Sequence, residues 1–254
     1  MFPTRVCDLV EAPESRERLG ELRPAASTSA LRLRGLCKQF GDQVVVDHLS
    51  SSLPAGAVLE IVGGRSAGKS TLVAMVGGLL PPDEGVVEVF GIDIWAAPAL
   101  PAGLVGLLSD DAGLPGDVVG RDWLRWVGLS RGMAAATLAR RMETVVRQCG
   151  LRGLDGGVVG RYTPGMRKRL QLAAALLDGP RLLLLDEPFA QVDALSAALM
   201  QTVLTRYRAD GGTVVLTSPA VAEVGPRLVA PRSAPARLLT PDAILDLDAA
   251  AARG

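Results

Sequence analysis

At 254 residues, with 48% hydrophobic side chains and few aromatics, the chain has room for one large aliphatic-cored domain, or one and a half. Its 27 basic and 27 acidic residues cancel, which excludes the global basic field that draws a protein to nucleic acid. Cys7, Cys37 and Cys149 are odd in number and lack metal-ligand spacing, so they fit a reducing compartment and no disulfide framework.

Residues 1–29 are charged and contain Pro, Ser and Ala, and read as a weakly ordered extension with a short helix near 15–22. Asp8, Glu11, Glu14 and Glu17 follow too quickly for a signal peptide. Leu31-Arg32-Leu33-Arg34 alternates, and Val44-Val45-Val46 follows a Gly41-Asp42 turn, which predicts a hairpin of an antiparallel sheet. Next comes a buried strand over Ala57–Val62, then Gly63-Gly64-Arg65-Ser66-Ala67-Gly68-Lys69-Ser70-Thr71, then a helix over Leu72–Leu80 stopped by Pro81-Pro82. The loop matches G-x-x-x-x-G-K-[ST] in the strand–loop–helix context that identifies a phosphate-binding loop. Its glycines let backbone N–H groups surround a phosphate at a helix N-terminus, Lys69 neutralises the β and γ phosphates, and the Ser70 hydroxyl ligates Mg²⁺. A glycine turn that happens to hold a lysine is the bland alternative.

Val86–Gly91 repeats the strand-then-glycine pattern, and Leu104–Leu108 supplies a further short strand. From Asp117 to Leu154 the period turns helical through Leu124, Val127, Leu138, Met142, Val145 and Val146, broken by Gly128 and Gly132. A helix over Thr163–Leu177, a buried strand over Leu182–Asp186, a helix over Ser196–Tyr207 and a buried strand over Thr213–Thr217 follow. Strands alternating with helices around a phosphate loop predict an α/β domain with a mostly parallel sheet and ligands at its strand C-termini. The tail from Pro226 holds one strand (Arg237–Leu239) and a helix from Asp242.

Four leucines ending in Asp186-Glu187 form a second constellation. A carboxylate at the end of a buried strand is where a phosphate-loop protein keeps its Mg²⁺-binding Asp, and Glu187 next to it suits the polarising of an attacking water. Solvated strand caps are the alternative. With these motifs in order, the chain resembles the nucleotide-binding subunit of an ABC transporter over residues 31–240 or so. The resemblance makes Gly63–Thr71 Walker A, Leu182–Asp186 Walker B, Glu187 the catalytic carboxylate and Pro188–Asp193 the D-loop ending in its Asp. Phe40 matches the aromatic that stacks on adenine, a core aromatic being the alternative. Tyr162-Thr163-Pro164-Gly165-Met166 occupies the signature position, with Thr163 and Gly165 facing a partner's nucleotide. Adenylate-kinase-like proteins share the loop but have no signature-like element directly before Walker B.

The resemblance implies a P-loop NTPase core with an antiparallel β subdomain and an inserted helical subdomain. The ATP-binding domain would span 30–240, its helical part about 110–178, with a C-terminal helix or tail over 241–254. It also implies ATP and Mg²⁺ as ligands, and a homodimer or heterodimer with a second ATP-binding subunit. The implied site is cytoplasmic, on the inner face of the membrane against an integral-membrane transporter subunit. No apolar run here approaches the ~20 residues that span a bilayer. The 150–175 region resembles drug- and polysaccharide-export subunits more than importers.

Three positions depart from the family pattern. Thr163 and Pro164 stand in for Ser and the first Gly of the signature; Thr still caps a helix and Pro suits its first turn, but Pro removes one N–H. Asp110, or Asp111 after a one-residue slip, stands where the family has a glutamine, and would reach Mg²⁺ through water. Thr217-Ser218-Pro219 carries no histidine where the family's γ-phosphate ligand belongs. The expected consequence is that nucleotide binding persists better than turnover, and a degenerate, regulatory nucleotide-binding module is the alternative function. Trp123 and Trp126 read either as a core stripe or as a docking surface, and His48 and the three cysteines as structural or incidental.

Overall fold

A computed structural model describes residues 29–109, 113–219 and 241–248. Strand β1 (Ser29–Phe40) turns at Gly41-Asp42 into β2 (Gln43–Pro54), and Phe40 pairs with Gln43 across the two-residue turn. Leu31, Leu33 and Leu36 of β1 are buried, the alternation expected of a sheet with one covered face. With β4 (Glu84–Val89) and the short β5 (Ile92–Asp93) these strands make an antiparallel sheet in the order β2-β1-β4-β5.

The second sheet runs β6-β7-β8-β3-β9, and each of its pairings is parallel. Its strands are β3 (Val58–Gly63), β6 (Val105–Leu108), β7 (Leu182–Leu185), β8 (Thr213–Pro219) and β9 (Ala243–Asp246). All four leucines of β7 are fully buried, as a strand covered on both faces requires. Helix α1 (Lys69–Val76) follows β3 directly and buries Leu72, Val73, Met75 and Val76. Between β6 and β7 come α2 (Gly120–Ser130), α3 (Ala135–Gln148) and α4 (Pro164–Ala175), while α5 (Ala194–Ala209) joins β7 to β8.

Two hydrophobic clusters divide the interior. One joins Leu124, Leu138, Met142 and Val145 of the inserted helices to Leu170, Leu183 and Val214; the other joins the antiparallel sheet and α1 to Ile61, Leu184 and Val215. Consecutive residues of β7 thus feed opposite clusters, Leu183 one and Leu184 the other.

Several expectations change. Gly128 does not break α2, which runs on to Ser130; the turn falls at Gly132, which has φ 73°. Asp242 opens no helix. Its carboxylate accepts the Val58 N–H at 2.8 Å and pairs with Arg208 at 2.7 Å, and the next four residues take the free edge of β3, Leu59 opposite Ala243 through Val62 opposite Asp246. Backbone pairing at an open parallel edge outweighs the local preference for a helix. The expected strand over 237–239 and the extension over residues 1–28 lie outside the described residues, whereas Ser29 opens β1. The two tryptophans separate: Trp123 packs on the helical cluster and Trp126 is exposed.

Candidate nucleotide-binding site

In a parallel sheet the loops after successive strands gather along one edge. The edge here receives the loop after β3, Asp186-Glu187 after β7 and Ser218-Pro219 at the end of β8. The loop Gly63–Thr71 wraps the start of α1. Gly68 is its N-cap at φ 89°, a conformation that disfavours any side chain, and a Cβ there would also lie 2.8 Å from the Val45 carbonyl oxygen of β2. The same close approach seats the antiparallel sheet beside the phosphate loop. Ser66 also has positive φ, 63°. Lys69 is buried, its Nζ donating to the Gly63 and Gly64 carbonyls at 2.6 and 2.8 Å.

A cleft of about 330 Å³ is lined by Phe40, Arg65, Lys69, Ser70, Thr71 and Glu187. The loop residues Ser66, Ala67 and Gly68 share its wall, whereas Gly63 and Gly64 do not line it and bear on it only through Lys69, which their carbonyls hold. Phe40 is half exposed, so it is no core residue and its ring faces the cleft mouth. Lys38 Nζ lies 5.6 Å from that ring's centroid and is paired with Asp83 at 2.6 Å.

Asp186 is almost fully buried and accepts the Thr217 hydroxyl at 2.7 Å. The same hydroxyl accepts the Glu187 N–H at 2.8 Å, so one oxygen of β8 ties together the two residues after β7. Glu187 has φ 43°, unusual for a residue with a side chain, and conformations of that kind cost on the order of 1–3 kcal/mol. Further contacts hold it there: Lys168 Nζ of α4 donates to its carbonyl at 3.2 Å, and its Oε1 lies 3.9 Å from Lys69 Nζ. Thr217 and Lys168 are the residues that sequence reading missed. The signal for Lys168 was its rarity, one of three lysines in the chain; a threonine ending a buried strand gave none.

The donor set suits a nucleotide-bound Mg²⁺. A hydroxyl (Ser70) on the cleft wall and a buried carboxylate (Asp186), fixed by a neutral hydroxyl and with no cation paired to it among the described residues, are hard oxygen ligands of the kind that ion takes. Asp110, the third candidate, lies outside the described residues, though Gln171 Nε2 reaches the carbonyl of its neighbour Ser109 at 3.4 Å.

The signature-like segment is built at the start of α4. Thr163 caps it, its Oγ1 accepting the Met166 N–H at 3.2 Å, and Pro164 occupies the first turn. Asp193 caps α5 in the same way through the Ser196 N–H at 2.8 Å. The Ser196 backbone N–H, and after it the Ser196 hydroxyl, hold the Asp193 carboxyl below its ordinary range. The two caps meet at Gly165, where a Cβ would overlap the Asp193 carboxylate and Ser196 Oγ. A second, wider cleft of about 730 Å³ lies between this helix start and the nucleotide loops, with Arg65, Pro164, Lys168 and Glu187 on its walls. At the end of β8, Ser218 Oγ is spent on Glu60 at 2.8 Å and Pro219 stands opposite Gly63, the first residue of the phosphate loop.

A phosphate loop between a parallel strand and a helix, an acidic pair at the end of the next strand but one and a helical insertion before that pair define a P-loop fold of the ATP-binding-cassette kind. Residues 46–190 match the sequence profile of the family described as ABC transporter. Nod factor export ATP-binding protein I of Sinorhizobium fredii is 32% identical over 197 residues, which cover 78% of this chain and 57% of that protein. Aliphatic sulfonates import ATP-binding protein SsuB of Rhodopseudomonas palustris is 33% identical over 207 residues, 79% of this chain and 69% of that one. A solved structure of an ATP binding subunit of an ABC transporter superposes with a TM-score of 0.67 at 22% identity, over 77% of this chain and 81% of that one, which attests the fold. The chain belongs to the ABC transporter family, as an ATP-binding subunit. It spans little more than half the length of the Nod factor relative.

Proposed function

We propose that this chain hydrolyses ATP and drives the movement of an integral-membrane transporter subunit, with a second ATP-binding subunit, identical or not, completing each site. The observation that carries the reading is Glu187: a residue with a strained backbone, held at both its N–H and its carbonyl, whose carboxylate lies 3.9 Å from the phosphate-loop lysine in the same cleft as the loop. In this reading Phe40 stacks on the adenine and the N–H groups of Gly63–Thr71 enclose the β-phosphate. Lys69 neutralises the β and γ phosphates, and Ser70 and Asp186 hold the Mg²⁺, with Asp110 a further ligand through water. Bound there, the metal would offset charge on the phosphate oxygens. Glu187 accepts a proton from the attacking water as that water's oxygen bonds to the γ-phosphorus; the bond to the β-phosphate oxygen breaks, and ADP and phosphate leave. Thr163, Gly165 and Asp193 face the second subunit's nucleotide. Such a subunit works on the cytoplasmic face of the membrane, and none of the described helices is long and apolar enough to cross it. Export is the direction we assign, following the Nod factor relative; the sulfonate-import relative makes direction the point that a vesicle transport assay must test.

The test is steady-state ATPase activity of the wild type against Glu187→Gln, with ATP affinity alongside and the membrane subunit added back. Loss of a positioned general base should lower turnover about 10²–10⁴-fold with binding retained. Wild-type turnover no higher than the variant's, with the partner present, overturns the reading in favour of a regulatory module that binds ATP without using it.

A further inference from the structure

The protein's only histidine sits in the antiparallel sheet, away from the nucleotide cleft, at a place where the backbone is irregular three times over. Between Leu36↔Leu49 and Lys38↔Val46 the β2 strand carries one residue more than β1, so Asp47 and His48 together oppose Cys37. His48 takes φ 41° to fit that bulge. On the other side of β1 the register with β4 slips between Arg34 and Cys37, which brings Cys37 opposite Glu84. Bulges re-aim side chains, and positive φ at a residue with a side chain is strain that calls for a reason.

The result is that one ligand atom each from Cys37, His48 and Glu84 lies within 4.8 Å of the others. A tetrahedral zinc site with the usual bond lengths has ligand–ligand separations of about 3.3–3.7 Å, a closing of about 1 Å. His48 and Glu84 are exposed and free to make it. The surroundings are those of a ligand set. Asp47 Oδ1 lies 2.6 Å from His48 Nδ1; a carboxylate only accepts, so Nδ1 carries a proton and in the neutral ring Nε2 holds the lone pair, the carboxylate–histidine pairing of metal sites. The His48 N–H points at Cys37 Sγ at 3.3 Å, which fixes the sulfur beside the histidine. Lys38, the neighbouring cation, is engaged by Asp83, whose own N–H fixes the Cys37 carbonyl at 3.0 Å and so anchors the strand that carries Glu84. Asp47 and Glu84 leave the patch anionic.

We propose that Cys37, His48 and Glu84 form a surface site for a divalent transition cation of the zinc class. Sulfur, imidazole and carboxylate together select such an ion over Mg²⁺ or Ca²⁺. Three protein ligands leave the fourth position to water, which makes the site exchangeable rather than closed. Its ligands come from β1, β2 and β4, so the ion would pin together three strands, among them the β2 strand that abuts Gly68 of the phosphate loop.

The experiment uses the full-length, chelator-washed protein titrated with Co²⁺ as the spectroscopic probe. One equivalent should produce a thiolate-to-cobalt charge-transfer band that Zn²⁺ abolishes in competition. The band should be lost in Cys37→Ser and kept in Cys7→Ser. His48→Asn, chosen because Asn tolerates positive φ, and Glu84→Gln should each weaken Zn²⁺ binding about tenfold or more. Zn²⁺ in tenfold excess over its dissociation constant should raise the wild-type thermal midpoint by about 3–5 °C, and that of Cys37→Ser not at all. No band in the wild type overturns the proposal. So does a band that survives both His48→Asn and Glu84→Gln, or one that follows Cys7. A Cys37→Ala variant, melting alongside the wild type without metal, guards against reading misfolding as lost ligation.

Discussion

Strands β7 and β8 lie side by side, parallel, and end at the same edge of the sheet, yet they deliver opposite things to it. After β7 come a buried carboxylate held by a hydroxyl and a half-buried one on a strained residue whose backbone N–H and carbonyl are both hydrogen-bonded to neighbouring elements. The last two residues of β8 are a serine already spent on Glu60 and a proline with no donor. The topology decides where chemistry can sit, and side chains decide whether it does. What β8 does contribute lies one step back, at Thr217, whose hydroxyl organises both acidic residues of its neighbour. The donor set of β8 has been turned from the nucleotide toward the interior.

The largest effect should come from emptying β7, the Glu187→Gln loss of turnover described above. Next is furnishing β8: Pro219→His places an imidazole opposite Gly63, where it can donate toward a γ-phosphate. A preorganised donor to developing charge is worth about 10²–10³ in rate, and imperfect placement leaves an expected gain of about tenfold in kcat with little change in nucleotide affinity. A lower or unaltered kcat would mean that the end of β8 is too far from the phosphate to matter. Thr217→Val then removes the bridge between the two strand ends. It strands the Glu187 N–H and a buried Asp186 oxygen, which should cost about 1–3 kcal/mol in urea unfolding and lower turnover as well, while Thr217→Ser should recover most of both. Equal stability of Thr217→Val and wild type would show that solvent replaces the hydroxyl.

How far these features could be read in advance depended on whether they are contiguous. The phosphate loop and Leu182–Glu187 are runs of adjacent residues in which a strand, a turn and a charge follow in a fixed order, so the chemistry is written locally. The buried strands were legible because a strand covered on both faces is apolar throughout, as β7 is. Helix α2 running past Gly128 was not legible, because packing against α3 decides whether a glycine interrupts a helix. Nor was β9: four residues that carry no strand signature are recruited by the free edge of β3, a property of another segment 184 residues away in the chain. Thr217 and Lys168 act on Glu187 from 30 and 19 residues off, and Cys37, His48 and Glu84 meet only through two bulges. No spacing rule reports such meetings, which is why His48 and Cys37 read as incidental in the chain and stand together in the fold.

The smallest effect tests the segment that leads from β7 to α5. Asp193 caps α5, and its carboxyl is held below its ordinary value near 3.8 chiefly by the Ser196 N–H. A carboxylate whose folded value is depressed stabilises the fold above the unfolded value, and that contribution is lost as pH falls through the folded one. Asp193→Ala should therefore cost about 0.5–2 kcal/mol at pH 7, as cap removals do. The cost should hold steady down to about pH 4 and shrink below it, as the wild-type carboxylate takes up its proton and the two proteins converge. Urea unfolding of both across that range reads the difference directly. A cost that grew on acidification would place the stabilisation in some protonated partner instead of the cap. Gly165→Ala presses on the same junction from the α4 side, since its Cβ needs the space that the Asp193 carboxylate fills. It should reproduce the pH 7 loss, and combined with Asp193→Ala it should cost less than the two singly, because the smaller alanine gives way to the new methyl.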